Sequence, residues 1–338
     1  MPRICIVPLV NTGGMASFRA KFEDGLRKRG IEITHNPDEG ADAILVIGGT
    51  RQLLPLWRAK RRGVRIVQRL DGINWVHRKR YTGLKHFLRA EYGNSILSFM
   101  RRQIATHILY QSEFSRKWWE AWYGPTHVTS VVVHNGVDLD MYSPVGPHQR
   151  PAERSRLVVV EGSLGGGYDM GLDNAIRLAE RLEERHGFPM ELMVVGEITD
   201  EQKTRVRARS RIPILWTGAV PREQIPEIDR SAHLLFSSDI NPACPNSVIE
   251  ALACGLPVAA FDTGALNELV LGDSGRLVPY GSDLWKLEPP DIPALAEASA
   301  EILREQNCFR KAAREQAEKA LGLDKMVEAY LKFLLEEY

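Results

Sequence analysis

Asp239–Val270 reads DINPACPNSVIEALACGLPVAAFDTGALNELV, and its punctuation organises the chain around it. Pro245 restricts the backbone ahead of Asn246 and Ser247, whose side chains are suited to capping free N–H groups, so a helix opens here. Gly255 ends that helix after about Cys254, and Pro257 prevents its continuation. An apolar strand at 258–261 follows. A second helix is expected to begin at the turn Thr263-Gly264-Ala265. Two helix N-termini side by side near strand ends suit an anion such as a diphosphate. Glu250 sits one turn into the first helix, where a carboxylate can hold paired hydroxyls such as those of a ribose.

Working outward, apolar runs of four to seven residues alternate with amphipathic stretches, the pattern of a parallel α/β sheet. The strands expected in the first half lie at 3–8, 31–35, 43–47, 64–68, 106–110 and 128–133, with helices between them, notably at 17–29 and 84–102. In the second half they lie at 157–161, 191–195, 212–216, 233–236, 257–261 and 275–278, with helices at 171–186, 200–209 and 222–231. Two doubly wound parallel-sheet, Rossmann-like domains follow from this count. Residues 1–145 form the first, 146–156 a Pro-rich, charged linker, 157–315 the second, and 316–338 a C-terminal helix with an apolar stripe.

The stretch Glu250-Ala-Leu-Ala-Cys-Gly-x-Pro257-Val258, followed by Gly264-x-x-x-Glu268, resembles the donor-binding signature of family 4 glycosyltransferases. Gly13-Gly14 after the first strand, Asn135-Gly136-Val137-Asp138, Val195-Gly196-Glu197 and Thr217-Gly218-Ala219-Val220 extend the resemblance over nearly the whole chain. It implies a GT-B fold, two domains facing a cleft. It also implies a retaining, metal-independent glycosyltransferase, with a nucleotide sugar as substrate and no cofactor. The last helix would cross back onto the N-terminal domain. Asn246, Ser247, Glu250, Gly264 and Glu268 would bind the donor, together with Gly162, Ser163 and Glu197 from the same half and Gly13 and Gly14 from the other. The acceptor would be a glycan, a lipid-linked sugar or a small molecule, in polysaccharide or glycoconjugate biosynthesis.

The chain departs from that family at four places. Relatives carry an arginine just after the first strand of the second domain and a lysine before the next helix; here Ser163 and Met170-Gly171 stand near those places. Glycines 165–167 and Arg222 or Arg276 are the available substitutes. Pro242 replaces a carboxylate eight residues before Glu250, leaving Asp239 or Asn241 to meet the donor sugar. Where relatives place a histidine near the reacting sugar, this chain has Arg69-Leu70-Asp71-Gly72. Asp71 is then the candidate to accept from a sugar hydroxyl and Arg69 to neutralise phosphate charge, with His77 as a substitute. These departures keep two other readings open: a nucleotide- or glycan-binding protein without turnover, and a sugar-nucleotide epimerase on the same fold.

Composition narrows the remaining classes. The 338 residues suffice for two cores, and no apolar run approaches the length of a membrane span. MPRICIVPLVNTGG reads as a first strand instead of a signal peptide, and the four cysteines lack metal-ligand spacing, as expected of a cytoplasmic protein. No metal site is expected from the nine histidines. The net charge of +1 hides a split: residues 51–102 hold 14 Lys and Arg against Asp71 and Glu91. Such a run is either a solvated face or attracted to an anionic partner: a membrane surface (the inner face, for a peripheral protein), a lipid-phosphate acceptor or an acidic polysaccharide. No nucleic-acid motif accompanies it, so nucleic acid is not expected. Trp118, Trp119, Trp122 and Tyr123 are expected in a core.

Overall fold

The structure, a computed structural model, describes residues 1–9, 13–163 and 169–336; Asn11, Thr12 and the glycines 165–167 lie outside them. The chain divides into two compact units, 1–136 with 322–338, and 137–321.

The first unit holds β1 (Arg3–Val7), β2 (Glu32–Thr34), β3 (Ala43–Ile47), β4 (Arg65–Leu70), β5 (His107–Tyr110) and β6 (Thr129–Val132) in one parallel sheet, ordered β2-β1-β3-β4-β5-β6. All five residues of β3 are buried, which is why its sequence AILVI runs without polar alternation. Its helices are α1 (Gly13–Lys28), α2 (Leu53–Arg61), α3 (Leu84–Phe99) and α4 (Glu113–Tyr123). The sequence reading places helices between these strands but gives no bounds for α2 and α4. The start of α4 was legible, since Ser112 Oγ accepts from the backbone N–H of Ser115 as an N-cap. Trp118 and Trp119 of α4 are buried, and the Trp119 indole donates to the Asp71 carbonyl.

The second unit holds β7 (Ser155–Ser163), β8 (Met190–Glu197), β9 (Ile214–Gly218), β10 (Leu234–Phe236), β11 (Val258–Phe261) and β12 (Gly275–Val278), ordered β12-β11-β10-β7-β8-β9. Around them lie α5 (Asp169–His186), α6 (Asp200–Arg207), α7 (Ile225–Ser231), α8 (Asn246–Ala253), α9 (Leu266–Leu269), α10 (Ile292–Arg304) and α11 (Gln306–Ala320). The segment expected as a linker belongs to this unit. Arg230 donates to the carbonyls of Ser143 and Pro147, and Arg150 donates to the carbonyl of Arg230. Its prolines and charges suggested a free tether, but arginines satisfy its backbone carbonyls.

The last helix, α12 (Leu323–Leu335), rejoins the first unit. Met326, Val327, Tyr330, Phe333 and Leu334 share a core with Phe18, Phe22 and Leu26 of α1. Gly25 is the close-approach point, since a Cβ there would lie 2.6 Å from Val327 Cγ2.

Candidate functional site

In a doubly wound sheet, the strands on either side of the order reversal leave a crevice at their C-terminal ends. In the second unit those strands are β7 and β10, and their ends carry Glu161, Gly162 and Ser163 on one side and Ser237, Ser238 and Asp239 on the other. Ser238 Oγ donates to Glu161 Oε1 at 2.8 Å, closing the two ends together. Gly162 is exposed with open space over its Cα. Ser163 closes β7 in register with Glu197, which is exposed at the end of β8; the Ser163 side chain lies outside the described set. The place where relatives carry a lysine is blocked: a Cβ on Gly171 would lie 2.7 Å from Ser238 Cβ and 2.8 Å from its carbonyl oxygen. A backbone this close leaves no room for a side chain.

The connection from β10 brings α8 to the same edge. Its N-cap is Pro245, and no side chain caps the helix. The expectation that Asn246 or Ser247 caps it is therefore corrected: both lie inside the first turn, half-buried. Proline has no side-chain acceptor, so the leading N–H groups of α8 are left for another acceptor. Glu250 lies one turn further along, 7% exposed. Its charge acts on Asp229, Tyr142 and Cys254, each of which is pushed up chiefly by burial and further by Glu250.

The second expected helix end is also corrected. The helix after Gly264 is α9, a single turn of four residues, too short to build a helix dipole. Gly264 instead locks two loops together. It sits at φ 59°, and a Cβ there would lie 2.5 Å from both Pro242 N and Cδ. Ala265 donates its N–H to the Pro242 carbonyl at 2.8 Å. Glu268 is half-buried on α9.

Glu161 and Asp239 form an acidic pair that the sequence did not reveal. Burial, and then the charge of Asp239, pushes Glu161 up to about 8. Burial pushes Asp239 up to about 6. The pair therefore keeps a proton at neutral pH. A raised carboxyl stabilises the fold fully below its unfolded value near 4.5 and loses that contribution as pH climbs to about 8. Glu161→Gln is expected to make the second unit more stable than wild type at pH 9, on the order of 3 kcal/mol, with little difference at pH 4. Denaturant unfolding at both pH values checks this.

In the first unit, Gly13 and Gly14 open α1 beyond the end of β1, both exposed, with Gly13 at φ 75°. They border the corresponding reversal, between β1 and β3. Asp71 follows β4, half-buried, with its carboxyl raised by burial against the opposing pull of Arg69. Arg69 itself is corrected from a phosphate-neutralising role to a structural one. It is 2% exposed, donates to Tyr330 Oη at 3.0 Å and Asn135 Oδ1 at 2.7 Å, and stacks 3.8 Å from the Phe18 ring centroid. The planar guanidinium thus joins β4, α1, α12 and the chain before the second unit. His77 is likewise buried, its Nε2 2.6 Å from Glu91 Oε1.

Of the substitute cations, Arg276 is spent on Glu301 and Asp273. Arg222 keeps a buried Nε with no hydrogen-bond partner, and its carbonyl accepts from Tyr142 Oη at 3.4 Å. Among the described residues no cluster of three or more His, Cys, Asp or Glu side chains could hold a metal ion.

Residues 155–305, which carry the strand ends, α8 and Gly264, match the family model of glycosyl transferases group 1. That part of the chain is similar to the glycosyl transferases of group 1. Mannosylfructose-phosphate synthase of Agrobacterium fabrum is 28% identical over 205 residues, covering 56% of this chain and 43% of that protein. The chain thus spans less than half the length of this curated relative. Sucrose-phosphate synthase of Thermosynechococcus elongatus superposes with a TM-score of 0.76 at 14% identity, over 98% of both chains. Anabaena HepE, solved in complex with UDP-glucose, superposes with a TM-score of 0.68 at 14% identity, over 99% of both. The fold is that of the GT-B glycosyltransferases.

Proposed function

We propose that the protein moves a glycosyl unit from a nucleotide sugar to a hydroxyl acceptor, in the building of a polysaccharide or glycoconjugate. The configuration at the anomeric carbon is retained and no divalent ion takes part. One observation carries the reading: Glu250 is buried one turn beyond an N-terminus that no side chain caps, at the strand-end edge of the part similar to group 1. A carboxylate there accepts from both ribose hydroxyls, and the leading N–H groups of α8 receive the diphosphate. Partial positive charge at that helix end, with Arg222, meets the charge that develops as the diphosphate departs. The departing phosphate oxygen then takes the acceptor proton on the face it vacates.

A second reading, a donor-binding protein without turnover, is favoured by Gly171, which Ser238 bars from carrying a cation, and by the Glu161–Asp239 pair. A panel of UDP, GDP, ADP and dTDP sugars, with product anomers followed by NMR in the presence of EDTA, separates the possibilities. An α-linked donor is expected to give an α-linked product at a rate EDTA does not change. Inversion would overturn retention, and loss with EDTA would overturn metal independence. Stabilisation by a donor with neither transfer nor hydrolysis would establish the binder, and donor conversion without an acceptor would establish an epimerase.

A further inference from the structure

We propose that α2 and α3 of the first unit form a docking face for an anionic lipid bilayer surface. Successive helical residues turn by about 100°. Leu84, Leu88, Tyr92 and Phe99 therefore project within an arc of about 80° on α3, and they are 68%, 59%, 54% and 47% exposed. Ala90 and Asn94, on the opposite side, are the buried residues of that helix. On α2, Leu54 and Trp57 are 61% and 43% exposed, and the Arg61 guanidinium lies over the Trp57 ring. Arg51, just before α2, lies over the Tyr92 ring, so the two helices present one surface. Exposed large apolar side chains gathered this closely mark a site of interaction.

Charge selects the occupant. Lys79, Lys85 and Arg89 are exposed around the apolar stripe, as are Arg51 and Arg61. Neither acidic residue of 51–102 offsets them: Asp71 follows β4, and Glu91 is held by Arg78 at 2.6 Å and 2.8 Å, with His77 beside it. The Arg78 guanidinium draws the Glu91 carboxyl down to about 2, so this clamp persists at neutral pH. A leucine and aromatic stripe with basic margins fits acyl chains beneath anionic headgroups. A second copy of the same face would bring like charges together. A nucleic acid would leave Leu54, Leu84 and Leu88 in water. No helix among the described residues is long and apolar enough to cross a membrane. The proposal is independent of the transfer reaction.

Co-sedimentation of the full chain with phosphatidylcholine vesicles, with and without about a third phosphatidylglycerol, tests it. Wild type is expected to bind the anionic vesicles at least tenfold more strongly, since each basic residue near such a surface contributes about fivefold. Two double variants, Leu84→Ser with Leu88→Ser and Lys85→Glu with Arg89→Glu, should each lose at least tenfold, with unchanged circular dichroism. Absence of vesicle binding would overturn the proposal. So would full binding by the serine variant, which would mean adsorption by charge alone. So would a wild-type dimer in sedimentation velocity that the serine variant dissolves, which would make the face an interface between copies.

Discussion

Glutamine in place of Glu250 is expected to lower kcat/KM for transfer about a hundredfold while leaving the second unit as stable as before, or more so. The first half follows from hydrogen bonding. A carboxylate accepting from two hydroxyls makes charge-assisted bonds worth roughly 1.5–3 kcal/mol each. Glutamine keeps the size, loses the charge and turns one acceptor into a donor. The second half follows from Asp229. That side chain is 1% exposed on α7, and the Cys254 thiol is the weak donor at its side. Burial first, and then the charge of Glu250, holds the Asp229 carboxyl well above the usual range. Two acidic groups confined between α7 and α8 cost folding free energy, although Arg230 and Arg310 offset part of it. Removing the charge of Glu250 relieves that cost. Thermal unfolding alongside initial rates distinguishes the cases: a variant that loses rate and stability together would make Glu250 a structural residue, and one that keeps its full rate would remove it from the site.

How far the site was legible in sequence depends on the range of the contacts involved. Apolar runs such as AILVI at 43–47 and VAAF at 258–261 mark buried parallel strands because local composition alone signals burial on both faces. The α8 stretch was readable for the same reason: its proline, its glycine stop and its carboxylate are all local. Arg69 was misread because what fixes it, Tyr330 and Asn135, lies 261 and 66 residues away. A cation after a strand looks the same in sequence whether it faces a ligand or a tyrosine. The Glu161–Asp239 pair was missed in the same way, since only the sheet order brings β7 beside β10. The start of α9 is fixed where the Ala265 N–H donates to the Pro242 carbonyl, a contact no periodicity announces.

That last contact yields the other large effect. Gly264→Ala is expected to destabilise the second unit by about 3 kcal/mol or more and to abolish detectable donor binding. Two separable causes add. At φ 59° an alanine incurs about 1–2 kcal/mol of left-handed strain. Its Cβ would also lie 2.5 Å from Pro242 N and Cδ. The obstacle there is backbone and a proline ring, neither of which can swing aside as a flexible side chain would, so the 239–245 loop must move. That loop leads directly into α8, so its displacement would shift the N–H groups of Asn246 and Ser247 and, behind them, Glu250. Gly272→Ala provides the internal control. Gly272 has nearly the same φ, 55°, but nothing lies within 4 Å of a Cβ built there. It should cost only the strain, about 1–2 kcal/mol, and leave donor affinity unchanged. Unfolding midpoints and donor titrations on the two variants isolate the effect of the contact. If both lose the same stability and both still bind donor, the Gly264–Pro242 lock plays no part in shaping the site, because strain alone would then account for everything the substitution does.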